Sequence, residues 1–357
     1  MKWLYCSLFA ASLIGLPLFG DNEKKPTQKT TKEELTLQPA FDADLFRRDK
    51  QVYSFDVVFL FWRAQEGALD YATRMNEDAW GPTECFAQGK FKKATFDGDP
   101  GFRATFRFFR AERYWEFWTE YTRMTSRGEE KIHKPSPDKH FITGTWPQIF
   151  SNPMASAESR IHLNYNVADV FITRVFFPNP HLRLRVAAGG SVAWINQFWK
   201  VQYFDWMGFE TKILNRWKFI GGGLKVGTIF DWYWFHHIYM TGGAYFGGLV
   251  GSYKNRAVQR TNFSPSPDFN PSIPVRNGHF SDVRPTFVGQ FFLGPSYQKN
   301  HANSRTEFFI GYEMATWLNL QEIWRSTSGT PTESKETRIN TSALCLQGLT
   351  ARATVDF

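Results

Sequence analysis

The sequence is poor in cysteine and in long apolar runs, and each shortage removes a class of protein. Three of the 357 residues are cysteine, and their spacing suits neither a zinc site nor a redox pair. Beyond the extreme N-terminus no stretch of about 18 apolar residues occurs, which excludes a membrane protein built from helices. A membrane protein built from strands stays open, and no metal or cofactor is expected.

The N-terminal 20 residues have the pattern of a secretory signal peptide. Lys2 precedes an apolar stretch over residues 3–19 that is too short and too poorly flanked to remain as a membrane span. The mature chain is expected to start near Asp21. Residues 21–50 are polar, with seven basic and seven acidic side chains, and are predicted to form a flexible linker.

Charge and the remaining cysteines both concern residues 51–357. The chain has 42 Lys and Arg against 34 Asp and Glu, a net charge of +8, and the neutral linker leaves nearly all of this surplus to the later segment. Export places Cys85 and Cys345 in an oxidising compartment, where an unpaired thiol is unusual. These two cysteines are therefore a candidate disulfide.

Aromatic residues are abundant and alternate along the chain. They make up 18% of the sequence, and from Tyr53 onward apolar residues recur at every second position, which is the period of a β-strand. About ten strands are predicted, with twelve or more as the alternative, because two stretches are ambiguous. Gly98-Asp99-Pro100-Gly101 fits either a turn or part of a long second strand, and Asp169 interrupts an apolar face, as at a β-bulge. The candidates are 53–61, 102–108, 115–121, 160–176, 182–188, 217–230, 238–251, 286–295, 306–318 and 341–357.

The connections between these strands alternate between short and long. Outer-membrane barrels have short periplasmic turns, long external loops, an even strand number and both chain ends in the periplasm. The sequence therefore predicts an all-β fold, a transmembrane antiparallel up-and-down β-barrel over residues 51–357. The short links are 110–112, 177–181, 231–237 and 297–305, and the long links are 64–89, 125–158, 196–216, 252–285 and 319–340.

The last strand carries the sharpest local signal. Apolar residues occupy every second position from Leu349 to the terminal Phe357, while Arg352 and Asp356 lie on the other face. This ending resembles the C-terminal signature by which outer-membrane barrels are recognised for insertion, so the barrel assembly machinery is an expected partner. A soluble β-sandwich does not explain the alternating links, and a propeller needs repeats that are absent here.

Several segments resemble, in the same order, the pore-forming major outer membrane protein-like family of chlamydia-related and legionella-type bacteria. They are the opening strand and its continuation at 55–72, Asp99-Pro100-Gly101-Phe102-Arg103, the stretch 163–169, the Gly-rich stretch 221–227 and Gly311-Tyr312-Glu313. The resemblance implies an outer-membrane barrel with porin-like activity. Chlamydial relatives are cysteine-rich and cross-linked, and this chain departs from them with Cys85 and Cys345 alone.

The polar faces of the strands supply candidate lumen-lining residues. Turning their arginines toward lipid would cost about 2 to 4 kcal/mol each near the midplane, so these faces are expected inside. Charged rings inside a barrel set ion selectivity. The candidates are Arg103, Arg107, Glu116, Glu120, Arg183, Arg185, Glu307, Glu313 and Arg352, with Asp56 beside them.

Two functions remain open at this point. The first is passive diffusion of small hydrophilic solutes or ions, mildly favouring anions because of the basic surplus. The alternative is a structural or host-adhesion barrel with a plugged lumen, because a barrel of about ten strands encloses little space and facing charges can neutralise each other. The long, Pro-rich link 252–285 supports adhesion.

Other partners and activities follow from the same residues. Outer-membrane lipid and lipopolysaccharide are expected partners, homo-oligomerisation is left open, and scattered basic residues without a nucleotide cradle argue against nucleic acid. Catalysis is not expected, because His236 and His237 lie in a predicted periplasmic turn and His162 has no evident partner. His133, His140 and His279 belong to predicted loops.

Overall fold

The computed structural model describes residues 51–75, 89–110, 113–134, 141–146, 154–235, 237–263, 270–301, 303–326 and 336–357. Within these ranges no helix is long and apolar enough to cross a membrane. The predicted signal peptide, the linker and Cys85 lie outside the described residues, so they and the disulfide stay predictions.

The described residues form thirteen strands, and ten of these close into an antiparallel ring. The ring order is β1-β13-β12-β11-β10-β9-β8-β7-β5-β4, and the other three strands form a small sheet in the order β3-β2-β6. The strands are β1 Val52–Glu66, β2 Asp70–Met75, β3 Gly89–Lys93, β4 Gly98–Arg110, β5 Trp115–His133, β6 Phe141–Gly144, β7 Met154–Asn179, β8 Leu182–Asp205, β9 Glu210–Tyr233, β10 Ile238–Thr261, β11 Arg276–Asn300, β12 Arg305–Ser326 and β13 Glu336–Asp356.

The ring closes between the first and the last strand. β1 and β13 pair in an unbroken register, and Tyr53 and Phe357 exchange two backbone hydrogen bonds of 2.9 Å. Each barrel strand thus has a partner on both sides, so the backbone polar groups find partners within the protein, as hydrocarbon requires. The predicted all-β barrel is confirmed, with ten strands in the ring, one for each candidate.

The barrel strands are much longer than a membrane requires. β7 has 26 residues and β8, β9 and β10 have 24 each, whereas a tilted strand crosses the hydrocarbon with about 9 to 11 residues. On β9 the outward side chains are mostly apolar from Ile220 to Trp232, while Lys212, Arg216 and Lys218 point outward nearer its start. We conclude that one half of the barrel meets lipid and the other half projects into water.

Several predicted loops are strands, because the barrel strands continue beyond the membrane into the projecting half. The sequence predicts a long link at 196–216, but β8 and β9 continue through most of it and join by a tight turn at residues 206–209. Asp205 Oδ1 accepts hydrogen bonds from the backbone amides of Met207 and Phe209 at 2.8 Å, and Gly208 supplies the positive φ of 86°. Polar residues there face water from the outer side of a strand.

Two further ambiguous stretches are regular strand. Gly98-Asp99-Pro100-Gly101 begins β4 and pairs with β1, so it is part of a long strand and not a turn. Asp169 causes no bulge, because β7 and β8 keep their register through it, with Asp169 opposite Ser191. The aspartate faces inward between apolar outward neighbours, as the alternation of a strand requires.

Candidate functional site in the barrel interior

The structure places the predicted lumen-lining residues on the inner face of the membrane-spanning half. Their side chains are largely buried although their strands are exposed to lipid on the opposite face. Those found there are Asp56, Arg103, Arg107, Glu116, Glu120, Arg183, Arg185, Glu307, Glu313 and Arg352.

One group of these residues joins strands that are not neighbours in the ring. Arg103 on β4 donates two hydrogen bonds to Glu313 on β12, with Nη1–Oε2 at 3.1 Å and Nη2–Oε1 at 2.8 Å. The Nε of Arg103 lies 3.2 Å from Oε1 of Glu120. Gln290 and Thr350 also donate to Glu313. This forked geometry is the strongest form of an ion pair and fixes both side chains across the lumen.

A second group lies toward the end with the short links. Asp231 accepts hydrogen bonds from Nε of Arg183 at 2.8 Å, from Nη2 of Arg185 at 2.9 Å and from Oγ1 of Thr241 at 2.9 Å. One carboxylate therefore compensates two buried guanidinium groups. Further pairs of the same kind are Arg107–Asp56, Arg305–Asp356 and Arg352–Glu307.

The charges of this half of the interior nearly cancel. Seven cations face eight carboxylates, so the chain's surplus of positive charge lies elsewhere, and the interior gives no basis for anion preference. The cations are Arg103, Arg107, Arg183, Arg185, Lys225, Arg305 and Arg352, and the carboxylates are Asp56, Glu116, Glu120, Asp169, Asp231, Glu307, Glu313 and Asp356.

Sequence reasoning missed five members of this network. Lys225 lies in the Gly-rich stretch of β9 and donates to Asp169 at 2.9 Å, while Asp231 falls in a predicted short link that is in fact the end of β9. Adjacent residues of a strand point to opposite faces. Because Trp232 and Phe357 are exposed, the preceding residues Asp231 and Asp356 face the interior. The fifth member, Arg305, begins β12.

Little space is left among these side chains. Two cavities within the network have volumes of about 50 Å³ and 20 Å³. Such volumes admit a few water molecules. Among the described residues, the ion pairs take up much of the interior of the membrane-spanning half.

The projecting half is packed in a different way, mainly by apolar and aromatic side chains, with buried polar groups such as Asn255 and the Arg284–Glu322 ion pair among them. Trp62, Trp199, Trp217 and Trp317 are among the largest fully buried side chains and point inward above the charged network. The barrel thus inverts along its axis. It has a charged interior and an apolar exterior at membrane level, and an apolar interior with a polar exterior beyond it.

Glu66 is an ionisable group within this apolar filling. It lies inward at the end of β1, outside the lipid-facing band, and its Oε2 accepts a hydrogen bond from Nε2 of Gln197 at 2.9 Å. No cation lies within ion-pair distance among the described residues, and burial raises the pKa of Glu66 to about 8. At neutral pH this carboxyl is mostly protonated.

Of the histidines considered above, His133, His162 and His279 fall on described strands. His162 contacts Oδ1 of Asn164 through Nε2 at 3.1 Å on the outer face of β7. His133 and His279 belong to strands β5 and β11, which corrects the predicted loops, while His140 and His236 lie outside the described residues. In the described ranges no cluster of His, Cys, Asp and Glu is arranged for a metal ion.

The second cysteine of the predicted disulfide lies in the barrel wall. Cys345 on β13 is half-buried, and Oγ1 of Thr316 on the neighbouring strand donates to its Sγ at 3.5 Å. With Cys85 outside the described residues, the pairing of the two thiols stays a prediction.

The model of the Legionella pneumophila major outer membrane protein precursor family matches residues 48–357. The chain belongs to this family. The predicted resemblance is therefore confirmed, and the protein is located in the bacterial outer membrane. A comparison with curated proteins found no match.

Solved structures with a similar course of the chain include three other proteins. The outer membrane protease OmpT from Escherichia coli has a TM-score of 0.43 and 9% identity, over 89% of this chain and 99% of that one. The Pseudomonas putida toluene transporter TodX has a TM-score of 0.28 and 9% identity, over 86% and 89%. A Pseudomonas aeruginosa FadL homologue has a TM-score of 0.24 and 7% identity, over 87% and 90%. Such identities transfer no activity.

Replacing Asp231 by asparagine should strongly destabilise the barrel. The change leaves Arg183 and Arg185 buried without their shared carboxylate, and an uncompensated buried charge costs about 3 to 5 kcal/mol. Urea unfolding of the refolded protein in detergent, followed by tryptophan fluorescence, measures the loss. Glu129→Gln is the control, because its pair with Arg160 is exposed and such pairs contribute about 0 to 1 kcal/mol. Equal losses in both variants would contradict the assignment.

Replacing Glu66 by glutamine should remove a pH dependence of stability. The pKa of this carboxyl is about 8 in the fold and about 4.5 when unfolded, so the free energy of unfolding falls as pH rises through that interval. Unfolding titrations between about pH 5 and pH 8 compare Glu66→Gln with the wild type. The decline should be smaller in the variant, and Glu129→Gln should behave like the wild type. Parallel curves for all three proteins would refute the prediction.

Proposed function

We propose that this family member is a closed structural barrel of the outer membrane whose projecting half displays an external surface, and that it does not act as a diffusion pore. It performs no catalysis. The observation that carries the proposal is the packing of the interior, where ion pairs join facing strands in the membrane-spanning half and buried aromatic side chains cluster in the projecting half.

The apolar half supports the proposal most directly. Trp199 and Trp217 are buried in one continuous cluster that also includes Tyr203, Leu344 and Leu346. A solute moving along the axis would have to displace these side chains together and leave a cavity behind them. Packed interiors resist such changes, since removing one large aromatic side chain costs about 3 to 5 kcal/mol.

The charged half supports it as well. A pore lining offers charges to passing ions, but here Arg103 and Glu313 satisfy each other in a forked pair, and Asp231 is engaged by two arginines and a threonine. An ion that entered would have to break these contacts. Passive diffusion, the first of the two functions inferred from the sequence, is therefore the less favoured one.

Conductance measurements test the proposal. Refolded protein inserted into planar bilayers in concentrated KCl is expected to give no discrete conductance steps, because the interior offers no continuous aqueous path. A porin refolded and inserted by the same procedure controls for incorporation. Regular steps that persist at low voltage would support diffusion, and reversal potentials would then report any anion preference.

A second role, adhesion, is supported by the projecting end. The external link between β10 and β11 spans residues 262–275 and contains four prolines, and Ile273 within it is 61% exposed. A Pro-rich link at the far end of a projecting barrel is accessible to other macromolecules, and surface loops often carry binding residues.

Replacing residues 262–275 by a short Gly-Ser link should reduce attachment of the bacteria to host cells while the barrel still folds. The reason is that this link presents an exposed apolar side chain beyond the strand ends. Attachment counts and heat-modifiable migration on gels measure the two properties. The same replacement at residues 327–335 is the matched control. Unchanged attachment in the first variant would leave the structural role alone.

The C-terminal strand supports a transient partner. Phe357 is 56% exposed on the lipid side of β13 and follows the alternating outward row that ends this strand. We propose that the barrel assembly machinery recognises this end before β13 pairs with β1.

A further inference from the structure

A dense group of basic side chains lies on the outer surface of β9, β10 and β11. Its members are the exposed side chains Arg216, Lys218, Lys254, Arg256 and His279, here called the basic patch. All five occupy outward positions, so none belongs to the interior network. The patch accounts for part of the positive surplus that the interior lacks.

The register sets like charges directly against each other. Lys218 on β9 is opposite Lys254 on β10, and Arg216 is opposite Arg256. Like charges directly opposed on one face of a sheet are destabilising. Two adjacent pairs of this kind raise the local positive potential. Their repulsion lowers the stability of the folded protein unless an anion neutralises them.

The described residues supply no such anion. None of the four cations lies within ion-pair distance of a described carboxylate. Nε of Arg256 donates to Oδ1 of Asn277 at 3.2 Å, and the guanidinium of Arg216 lies 5.4 Å from the ring centre of Phe198. The outward positions that flank the lysines are occupied by Asn196 and Ser281.

Another face of the same projecting half shows the usual arrangement. There Arg160 on β7 lies 2.9 Å from Glu129 on β5, and Lys131 pairs with Glu158. These two cations are compensated within the protein. The basic patch is therefore a local departure and not a general property of the outer surface.

The patch lies directly beyond the lipid-facing band. On the same three strands the outward residues toward the membrane include Ile220, two residues from Lys218, Val250, four residues from Lys254, and Val283, four residues from His279, which are 46%, 59% and 73% exposed. A residue pair along a strand spans about 7 Å, and the headgroup layer adds roughly 5 to 7 Å beyond the hydrocarbon on each side. The cations are thus at headgroup level.

The surface is also concave at this position. A groove of about 370 Å³ is lined by all five members of the patch, and a second groove of about 350 Å³ continues past Arg216 and Lys218 toward His162 and Asn164. Arginine and lysine bind phosphate through charge-assisted hydrogen bonds. A phosphate above an apolar surface is the chemistry of a phosphorylated lipid.

We propose that the basic patch binds the phosphate groups of lipopolysaccharide in the external leaflet, with its acyl chains lying along Ile220, Val250 and Val283. The long links and the projecting half place this end of the barrel outside the cell, where that lipid faces the protein. The bound phosphates offset the repulsion within the two opposed cation pairs.

Binding measurements on the full chain refolded in detergent test the site. The probes are diphosphorylated lipid A, the same lipid without phosphates, and inorganic phosphate, each followed by native mass spectrometry. The quadruple variant Arg216→Gln, Lys218→Gln, Lys254→Gln and Arg256→Gln is expected to bind the diphosphorylated lipid about tenfold or more weakly than the wild type. The matched control Lys131→Gln with Arg160→Gln removes compensated cations and should bind like the wild type.

A stability measurement separates loss of binding from loss of folding. Without lipid the double variant Lys218→Gln with Lys254→Gln should resist urea at least as well as the wild type, because a repulsive pair is gone. Added lipid A should then stabilise the wild type more than the variant. Equal binding by the quadruple variant, or by the lipid without phosphates, would overturn the proposal. So would inorganic phosphate binding as tightly as the lipid, which would indicate a site for free anions.

Discussion

The pairing of β1 with β13 is the constraint on which the rest of the structure depends. A strand in hydrocarbon has to satisfy its backbone within the protein, so this sheet has to close, and Tyr53 and Phe357 complete the closure. Once the ring is closed, alternation assigns every side chain to lipid or to the interior. The charged network, the apolar filling and the outer basic patch are all consequences of that assignment.

The interior changes character along the axis because the exterior does. At membrane level the apolar side chains are needed outside, which leaves arginines and carboxylates to fill the inside as mutual partners. Beyond the membrane the outer face meets water, so residues such as Trp62 and Trp317 can turn inward and pack as in a soluble protein. A closed barrel of this kind is held by ion pairs in one half and by apolar packing in the other.

The sequence was sufficient to predict the barrel and its ten strands, since period-two alternation and the short links depend on local residues alone. It was also sufficient for the inward side of Arg103 and Glu313. Strand length was harder, because the polar outer residues near Asn196 resemble a loop when the inward Trp199 and Tyr203 are not recognised as core. The ion-pair partner of each charged side chain could not be predicted from the sequence, since Asp169 and Lys225 are brought together only by the register of three strands.

The separation of the ion-pair partners along the chain bears on how the protein comes into being. Arg103 meets Glu313 from 210 residues away, and Arg305 meets Asp356 on the strand that finishes the ring. An incomplete sheet would leave several charged side chains without their partners in the hydrocarbon of the membrane, where each unpaired charge is energetically costly. Folding is thus expected to be cooperative, with few stable intermediates between an open sheet and the closed barrel.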